Sequence, residues 1–277
     1  MTVTAILGGP DEACKTQIDC AIELTRRLKT TLKGLTIMPD PVNSVMYFAS
    51  AEAVMAGAPG VDAVKQAQDK TNATLDALFD SKTRQEKWLR AHFESLTGSI
   101  PAYAAAEAAL SDAFVFPRGS ASSNHALNPA FEHTLMTARL PLILASGDGR
   151  ADGPPVIAWD GSPQAARAIR FHLTLLMSYD EVIIAQQSDK LRPDIAQCAS
   201  TTPEALAAWL GEERLGAKIE TFDGAVGEGL IKLVKKYDSS LIVMGAYGHS
   251  RMGEMLFGGT SRALLNANEG PALALAH

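Results

Sequence analysis

Glycine and hydroxyl residues cluster near the end of this 277-residue chain, in a pattern that could bind an anion. They are Gly245, Gly248, Gly258, Gly259, Thr260 and Ser261. Glycine just past a buried strand lets the backbone approach a ligand closely, because no Cβ is in the way. A Gly-Gly-Thr-Ser segment at a helix start presents free N–H groups and hydroxyls, with the helix dipole behind them. Two such turns could hold the ribose and phosphates of a nucleotide, although the same glycines could serve only as turn and cap residues.

The flanking sequence predicts the elements that would position these residues. Residues 241–244 are a short apolar run, which predicts a strand buried on both faces. A helix is predicted over residues 260–268. Gly270 and Pro271 end it, because glycine tolerates a left-handed conformation and proline cannot continue a helix. Residues 272–276 predict a last apolar strand.

The spacing Gly245-x2-Gly248-x9-Gly258 closely resembles the nucleotide motif of the universal stress protein family, G-x2-G-x9-G-[S/T]. The surrounding sequences, MGAYGHSR and FGGTSRALL, resemble that family as well. One position departs from the motif: the family has Ser or Thr last, whereas this chain has Gly259 there and Thr260 one place later. A hydroxyl could still reach the phosphates from Thr260 or from the following Ser261.

The resemblance implies a parallel sheet of strand order 3-2-1-4-5, with a ligand beyond the carboxyl ends of strands one and four, where the order reverses. Asp160 matches the family's adenine-side aspartate, and a carboxylate can accept a hydrogen bond from an exocyclic amine or a ribose hydroxyl. Alternatively, Asp160 forms an Asx-turn or a helix cap in the sequence DGSP, and the two roles are compatible. Ala158 and Gln187 correspond to family positions that line the base, and Met244 to a base-contacting position.

Two basic residues, His249 and Arg251, follow the second motif glycine. Either could neutralise phosphate charge, or could simply be solvated. The implied cofactor is ATP or another adenine nucleotide, with or without Mg²⁺. No segment matches G-x4-G-K-[ST], which excludes a P-loop mechanism, and Gly224-x2-Gly227-x-Gly229 runs in the wrong order for a dinucleotide fingerprint.

The same order of elements occurs twice along the chain. Strands and helices alternate in residues 1–146 and again in residues 156–277, and each half ends with a proline before an apolar strand. The predicted elements include strands over residues 31–38 and 88–94 and helices over residues 129–138 and 164–177. Ser162 is a candidate N-cap of the last of these helices, with Pro163 at its first position. This alternation is typical of parallel sheets with helices on both faces. The predicted fold is therefore α/β, with two tandem doubly wound domains, as in two-domain universal stress proteins (adenine-nucleotide α-hydrolase-like). Residues 147–155 are rich in Gly, Asp and Pro and are predicted to be the linker.

The first half lacks the glycine spacing, and its resemblance to the family is only topological. Its fourth predicted strand, residues 113–116, runs into Pro117-Arg118-Gly119, and Pro129 occupies the later turn. Its first strand ends in Gly8-Gly9-Pro10, with Asp11 displaced from the expected place. We therefore expect a degenerate domain that binds no nucleotide and serves as a pseudo-dimer partner.

Composition restricts the kinds of partner. The net charge is −6 and there is no basic tract, which argues against nucleic acid, because duplex binding needs a clustered cationic surface. Three cysteines do not support a disulfide framework, and Cys14 and Cys20 are expected to be buried structural thiols on one helix. The sequence has no recognisable signal peptide and no run that could span a bilayer. We expect a soluble, cytoplasmic protein that does not bind membranes.

Three functions are compatible with these patterns. The first is a stress-response regulator that binds an adenine nucleotide and is at most a weak ATPase, because no clear metal-binding carboxylate pair or positioned general base is present. The second is a scaffold that binds an unknown protein partner without nucleotide, which Gly259 favours. The third is an enzyme or small-molecule binder that uses the first half, whose insertion at residues 42–60 could be a loop, a lid or an interface. A homodimer could also form, with the last strand of either half as a pairing edge.

Overall fold

The computed structural model describes residues 2–8, 11–48, 60–188, 198–246, 264 and 270–277. The strands are β1 (Thr2–Ile6), β2 (Thr31–Met38), β3 (Ala91–Thr97), β4 (Ala113–Phe116), β5 (Leu142–Leu144), β6 (Val156–Ala158), β7 (Glu181–Gln187), β8 (Gly216–Phe222), β9 (Leu241–Gly245) and β10 (Ala272–Ala276). The α-helices in this part of the chain are α1 (Asp11–Leu28), α2 (Pro41–Phe48), α3 (Val61–Thr83), α4 (Ile100–Ala109), α5 (Asn128–Glu132), α6 (Pro163–Phe171), α7 (Leu173–Leu176), α8 (Pro203–Glu212) and α9 (Val226–Lys236).

These strands form one sheet in the order β3-β2-β1-β4-β5-β10-β9-β6-β7-β8. Within each half the neighbours pair in parallel, in the order 3-2-1-4-5, so the predicted α/β class and strand order are confirmed. The halves join where β5 and β10 run antiparallel, with Leu142 opposite Leu275 and Leu144 opposite Leu273. Each half therefore supplies its last strand to a contact inside the chain. A homodimer would need another surface, and it stays a prediction.

The core lies on both faces of the sheet and extends through both halves. The central strands are apolar at successive positions, and every residue of β4 and β10 is buried. This pattern is expected where helices cover both faces of a parallel sheet. One apolar layer includes Val3 and Ala274, and the opposite layer includes Phe116 and Leu275, so each layer continues across the β5–β10 junction.

The helix that follows β6 begins as its sequence predicts. Ser162 has an extended backbone, and its Oγ accepts a hydrogen bond of 3.2 Å from the Ala165 N–H. Pro163 follows at the first helical position, where its missing N–H costs nothing. The cap therefore places the residues just after β6 beside the start of a helix.

Three predicted elements differ from the structure. The third strand was expected over residues 88–94 but is β3 (Ala91–Thr97), because residues 83–89 turn back on themselves through bonds such as Leu89 N to Glu86 O (2.9 Å). The helix expected over residues 164–177 is broken into α6 and α7 at His172, whose ψ of 14° is not helical. The helix expected over residues 129–138 is α5 followed by the π-helical segment His133–Thr137.

The insertion expected at residues 42–60 is only partly described. Its beginning lies in α2 (Pro41–Phe48), which packs on α3. Residues 49–59 lie outside the described residues.

The segment predicted to be the linker packs tightly against both halves. The carbonyl of Ala151 accepts hydrogen bonds from Arg27 Nε of the first half (2.8 Å) and from Tyr179 Oη of the second (2.6 Å). Gly153 has φ +69°, and a Cβ there would lie 2.2 Å from the Asp238 carbonyl oxygen, so only glycine fits. The division at residues 147–155 stays a prediction.

Two of the three cysteines are on α1 and buried, as predicted. Burial raises the pKa of the Cys20 thiol to about 11, so the thiol stays protonated at neutral pH. Such a group is a small apolar side chain rather than a nucleophile.

Candidate functional site

The carboxyl ends of β6 and β9 lie side by side in the second half. β6 pairs with β7 on one side and with β9 on the other, with Ile157 opposite Val243. The strand order reverses between these neighbours, which is where open parallel sheets bind ligands. The fold therefore brings Ala158 and Asp160 close to Met244 and Gly245, although more than 80 residues separate them in the sequence.

Asp160 has a role that is independent of any ligand. Its Oδ1 accepts a hydrogen bond of 2.9 Å from the Ser162 N–H, which is the Asx-turn considered as the alternative role. The residue is half-buried. Its Oδ2 makes no hydrogen bond with the described residues, so one carboxylate oxygen holds the turn and the other can accept a bond from a ligand.

The space beside Gly245 is filled by the first turn of α6. A Cβ at Gly245 would lie 2.7 Å from the Ala165 nitrogen and 2.7 Å from the Gln164 carbonyl carbon. Real Cβ atoms do not approach backbone this closely, so the glycine permits the helix start to lie against β9. This close packing explains Gly245 without a ligand, and it also brings the N-terminal turn of α6 to the strand ends.

The three residues predicted to line the base lie at strand ends. Ala158 is half-buried, and Met244 is buried. Gln187 closes β7, where its Nε2 donates a hydrogen bond of 2.6 Å to the Gly224 carbonyl. The Oε1 of Gln187 is buried and has no hydrogen-bond partner among the described residues. An unpaired buried acceptor is uncommon, and this oxygen is free to accept a hydrogen bond from a ligand if one binds here.

Sequence reasoning did not single out Gln164, which is in the first turn of α6. Its Cβ lies against the position of Gly245, and its Oε1 is also buried without a partner among the described residues. The signal that could have identified it is its place directly after the Ser162-Pro163 helix start. Gln164, Gln187 and Asp160 together give this end of the sheet three acceptor groups.

The phosphate-side residues of the motif are Gly248, His249, Arg251, Gly258, Gly259, Thr260 and Ser261, and they lie outside the described residues. Their roles stay predictions. Leu264, within the helix predicted over residues 260–268, is described, helical and buried.

The corresponding strand ends of the first half are filled by the protein itself. Gln17 of α1 is fully buried, and its Nε2 donates hydrogen bonds of 2.8 Å to the carbonyls of Ile6 on β1 and Val115 on β4. Leu127 lies against Gly8, where a Cβ would be 3.2 Å from the leucine Cδ1. An amide and an isobutyl group thus close the crevice in which a ligand would lie.

A cavity of about 300 Å³ lies elsewhere, between α1, the end of α3 and the linker. All three of its cationic side chains are paired: Lys82 binds Asp19 (2.7 Å), Arg26 binds Glu23, and Arg150 binds Asp152 (2.9 Å). The remaining charged side chain, Glu86, is an anion that accepts a hydrogen bond from Trp88 Nε1. Paired surface charges leave no excess field for a ligand, so this cavity offers less to a nucleotide than the strand ends do.

The described part of the chain has neither a metal-binding cluster nor a helix suited to a membrane. No group of His, Cys, Asp and Glu side chains is arranged to hold a metal ion. No helix there has both the length and the apolar character needed to cross a bilayer. The cytoplasmic location stays a prediction.

Comparisons with known proteins place the second half in a family. The model of the universal stress protein family matches residues 156–275, and no curated protein matches the chain. A universal stress protein from Archaeoglobus fulgidus DSM 4304 has a similar structure, with a TM-score of 0.67 at 11% identity over 99% of this chain and 97% of that chain. A putative universal stress protein from Pseudomonas aeruginosa UCBPP-PA14 matches at a TM-score of 0.49 and 12% identity, over 99% and 92% of the two chains. At 11% identity, the similarity to the Archaeoglobus protein concerns the fold alone. The chain therefore contains a domain of the universal stress protein family, at residues 156–275.

Proposed function

We propose that the second half binds ATP or a related adenine nucleotide at the carboxyl ends of β6, β7 and β9, and that the protein regulates a stress response. The observation that carries the proposal is the position of Asp160 beside Gly245 at the strand-order reversal. Gly245 is the first residue of the nucleotide-like glycine spacing, so the two signals meet in space.

The acceptors at this end of the sheet suit a nucleoside. Adenine offers its exocyclic amine as a donor, and ribose offers two hydroxyls. Asp160 Oδ2 and the amide oxygens of Gln164 and Gln187 have no partner in the described part of the chain, and each can accept such a bond. Filling these acceptors would remove the penalty of leaving buried polar atoms unpaired.

Phosphate binding is proposed for the glycine and hydroxyl residues 258–261, with His249 and Arg251 as neutralising cations. The proposed ligand is the nucleotide, with Mg²⁺ on its phosphates where the metal accompanies it. We propose slow or no hydrolysis, because the sequence presents no clear pair of metal-binding carboxylates and no general base beside the phosphate turn.

A scaffold without nucleotide is the second candidate. Two structural observations favour it: Gly245 is explained by its packing against α6, and Asp160 by the Asx-turn. Gly259 in place of Ser or Thr favours it as well. In this case the protein would act through contacts with a protein partner.

The first test identifies any molecule released when the purified protein is denatured, by mass spectrometry, and then titrates ATP into the wild type. We expect a single adenine nucleotide per chain. Gly248→Val should abolish binding, since a branched side chain would block the approach of the phosphates. Two nucleotides per chain would contradict the prediction that the first half binds none.

Asp160→Asn separates the two roles of this residue. Asparagine keeps an oxygen that can accept the Ser162 N–H bond, so the turn survives, but the negative charge is lost. The matched control is Asp40→Asn, because Asp40 Oδ1 accepts a similar bond of 2.8 Å from the Val42 N–H in the first half. Weaker ATP binding in Asp160→Asn alone supports the proposal. Equal affinity in both variants and the wild type removes Asp160 from the site, and no ATP binding by the wild type favours the scaffold.

A further inference from the structure

A buried arginine of the first half reaches into the second. Arg118 begins the 3-10 turn Arg118–Ala121 directly after β4, and only 7% of its surface is exposed. This place corresponds to the segment after β9 in the second half, where the motif glycines lie. The first half therefore has an arginine where the second half has its phosphate-side segment.

The guanidinium group binds two backbone carbonyls of the second half. Nη1 donates to the carbonyl oxygen of Pro271, and Nη2 donates to the carbonyl oxygen of Leu264. Pro271 directly precedes β10, and Leu264 is buried and helical. One planar group thus joins two points of the second half that are seven positions apart.

The turn that carries Arg118 is held in place on its own side. Asn128 Nδ2 donates a hydrogen bond of 3.0 Å to the Ser120 carbonyl, and the Ser120 N–H donates one of 3.0 Å to the Pro117 carbonyl. Proline at 117 restricts the backbone where the turn begins. The turn's backbone is therefore fixed independently of the arginine contact, so only the side chain has to be ordered when the guanidinium group binds.

The arginine keeps its charge although it is buried. Desolvation lowers the pKa of Arg118 to about 10, which is still well above neutral pH. A buried cation is costly unless polar groups surround it, and carbonyl oxygens supply the negative end of a dipole. Arginine suits this geometry better than lysine, because its donors form a planar fork that can serve two acceptors at once.

Leu264 links this contact to the proposed nucleotide site. The sequence predicts a helix over residues 260–268, whose first residues, Thr260 and Ser261, belong to the phosphate-side turn. Leu264 is four positions after Thr260, about one helical turn. A side chain that fixes the Leu264 carbonyl therefore holds a point close in the sequence to the proposed phosphate-side residues.

We propose that Arg118 is a positioning residue for the nucleotide site of the second half, and that the first half contributes to nucleotide affinity through this contact without binding nucleotide itself. This inference rests on the proposed function. It assigns the first half a task beyond pairing through β5: Arg118 fixes Leu264, which follows the proposed phosphate-side residues Thr260 and Ser261 in the sequence.

The test compares Arg118→Leu and Arg118→Lys with Arg27→Leu. Arg27 is a matched control, because it also crosses between the halves, through the Ala151 carbonyl and a cation–π contact of 4.0 Å with the Tyr179 ring, but does not touch Leu264 or Pro271. ATP affinity is measured well below the unfolding temperature of each variant. Hydrogen exchange is measured in peptides that cover residues 261–271.

We expect Arg118→Leu to weaken ATP binding by about tenfold or more and to accelerate exchange in residues 261–271. Arg118→Lys should give intermediate values, because it keeps the charge but not the fork. Arg27→Leu should lower the unfolding temperature yet leave affinity and local exchange unchanged. A merely structural role would lower stability in both leucine variants without separating their affinities.

Wild-type affinity and exchange in Arg118→Lys, or in a folded Arg118→Leu, would overturn the inference. The inference would also be overturned if Arg118→Leu and Arg27→Leu lost ATP affinity to the same extent. If the wild type itself binds no ATP, the proposed function fails, and the positioning of a nucleotide site fails with it. Exchange then reports separately whether Arg118 anchors Leu264 and Pro271.

Discussion

The two halves have the same strand order but fill the ends of their strands in opposite ways. In the first half, Gln17 ties β1 to β4 and Leu127 lies on Gly8, so the crevice is occupied by the chain itself. In the second half, the strand ends carry one carboxylate oxygen of Asp160 and the amide oxygen of Gln187, neither of which has a hydrogen-bond partner among the described residues. The Oε1 of Gln17 is also buried without a partner among the described residues, so the difference between the halves lies in how each crevice is filled. One topology can thus support an end closed by its own side chains and an end where a carboxylate oxygen has no partner among the described residues.

The largest expected effect on stability comes from the helix that follows the first strand of each half, because this helix differs between the halves. α1 runs unbroken for 18 residues, whereas its counterpart breaks at His172, a buried residue whose Nε2 donates to the Leu275 carbonyl (3.3 Å). Burial lowers the pKa of His172 to about 4, from 6.5. The folded state thus favours the neutral ring, so its stabilisation is complete above pH 6.5 and is lost as the pH falls through 4.

From these values, His172 should account for a loss of about 3 kcal/mol in the free energy of unfolding between pH 7 and pH 4. Urea denaturation at a series of pH values measures it. His172→Gln keeps a donor for Leu275 but cannot titrate, so its profile should be flatter by that amount. Parallel profiles in the two proteins would show that His172 does not titrate in this way.

Gly245→Ala should destabilise the second half by about 2–3 kcal/mol. The new Cβ would meet the backbone of Gln164 and Ala165 at 2.7 Å, and the start of α6 would have to move. Because Asp160 and the Ser162 cap lie beside this helix start, we also expect weaker ATP binding. Thermal unfolding and ATP titration measure the two effects; an unchanged unfolding temperature would mean that α6 is not held against β9.

Gln17 in the first half and Gln187 in the second allow a structural amide to be compared with one proposed to bind the ligand. Gln17→Leu should cost about 2 kcal/mol of stability and leave ATP affinity unchanged, because it leaves the carbonyls of Ile6 and Val115 without their buried donor. Gln187→Leu should cost less than about 1 kcal/mol, since its bond to Gly224 is exposed, but should weaken ATP binding. Denaturation and calorimetry on both variants measure this. The reverse pattern of affinities would place the ligand in the first half.

Gly8→Ala should have the smallest effect, lowering the free energy of unfolding by less than about 1 kcal/mol. Its Cβ would meet only the Leu127 side chain, at 3.2 Å, and a leucine can shift by a few tenths of an ångström. Chemical denaturation of this variant beside Gly245→Ala tests whether the first-half crevice has a flexible filling and the second-half end a rigid one. Equal losses in the two variants would contradict the distinction.

Local signals predicted much of the fold. The strands at Thr31–Met38, Ala113–Phe116 and Ala272–Ala276 are found at the predicted bounds. The last two are continuous apolar runs, which have few alternatives to a buried strand. The Ser162 cap was readable from the order Ser-Pro, which acts over only a few residues. The start of β3 was misread at Trp88, because an apolar residue next to a strand resembles a strand residue; Trp88 instead lies exposed and binds Glu86 (2.6 Å).

The sequence by itself determined the α/β class, the strand order implied by the family motif, and the meeting of Asp160 with Gly245 at the strand-order reversal. Only the tertiary structure decided what occupies each crevice and how the halves join. Gln17 bonds to Val115 and Arg118 to Pro271 across separations of 98 and 153 residues. Helix caps and strand runs depend on neighbours within a few residues, so sequence reveals them. Contacts between distant residues depend on the path of the whole chain, so they emerge only when it is folded.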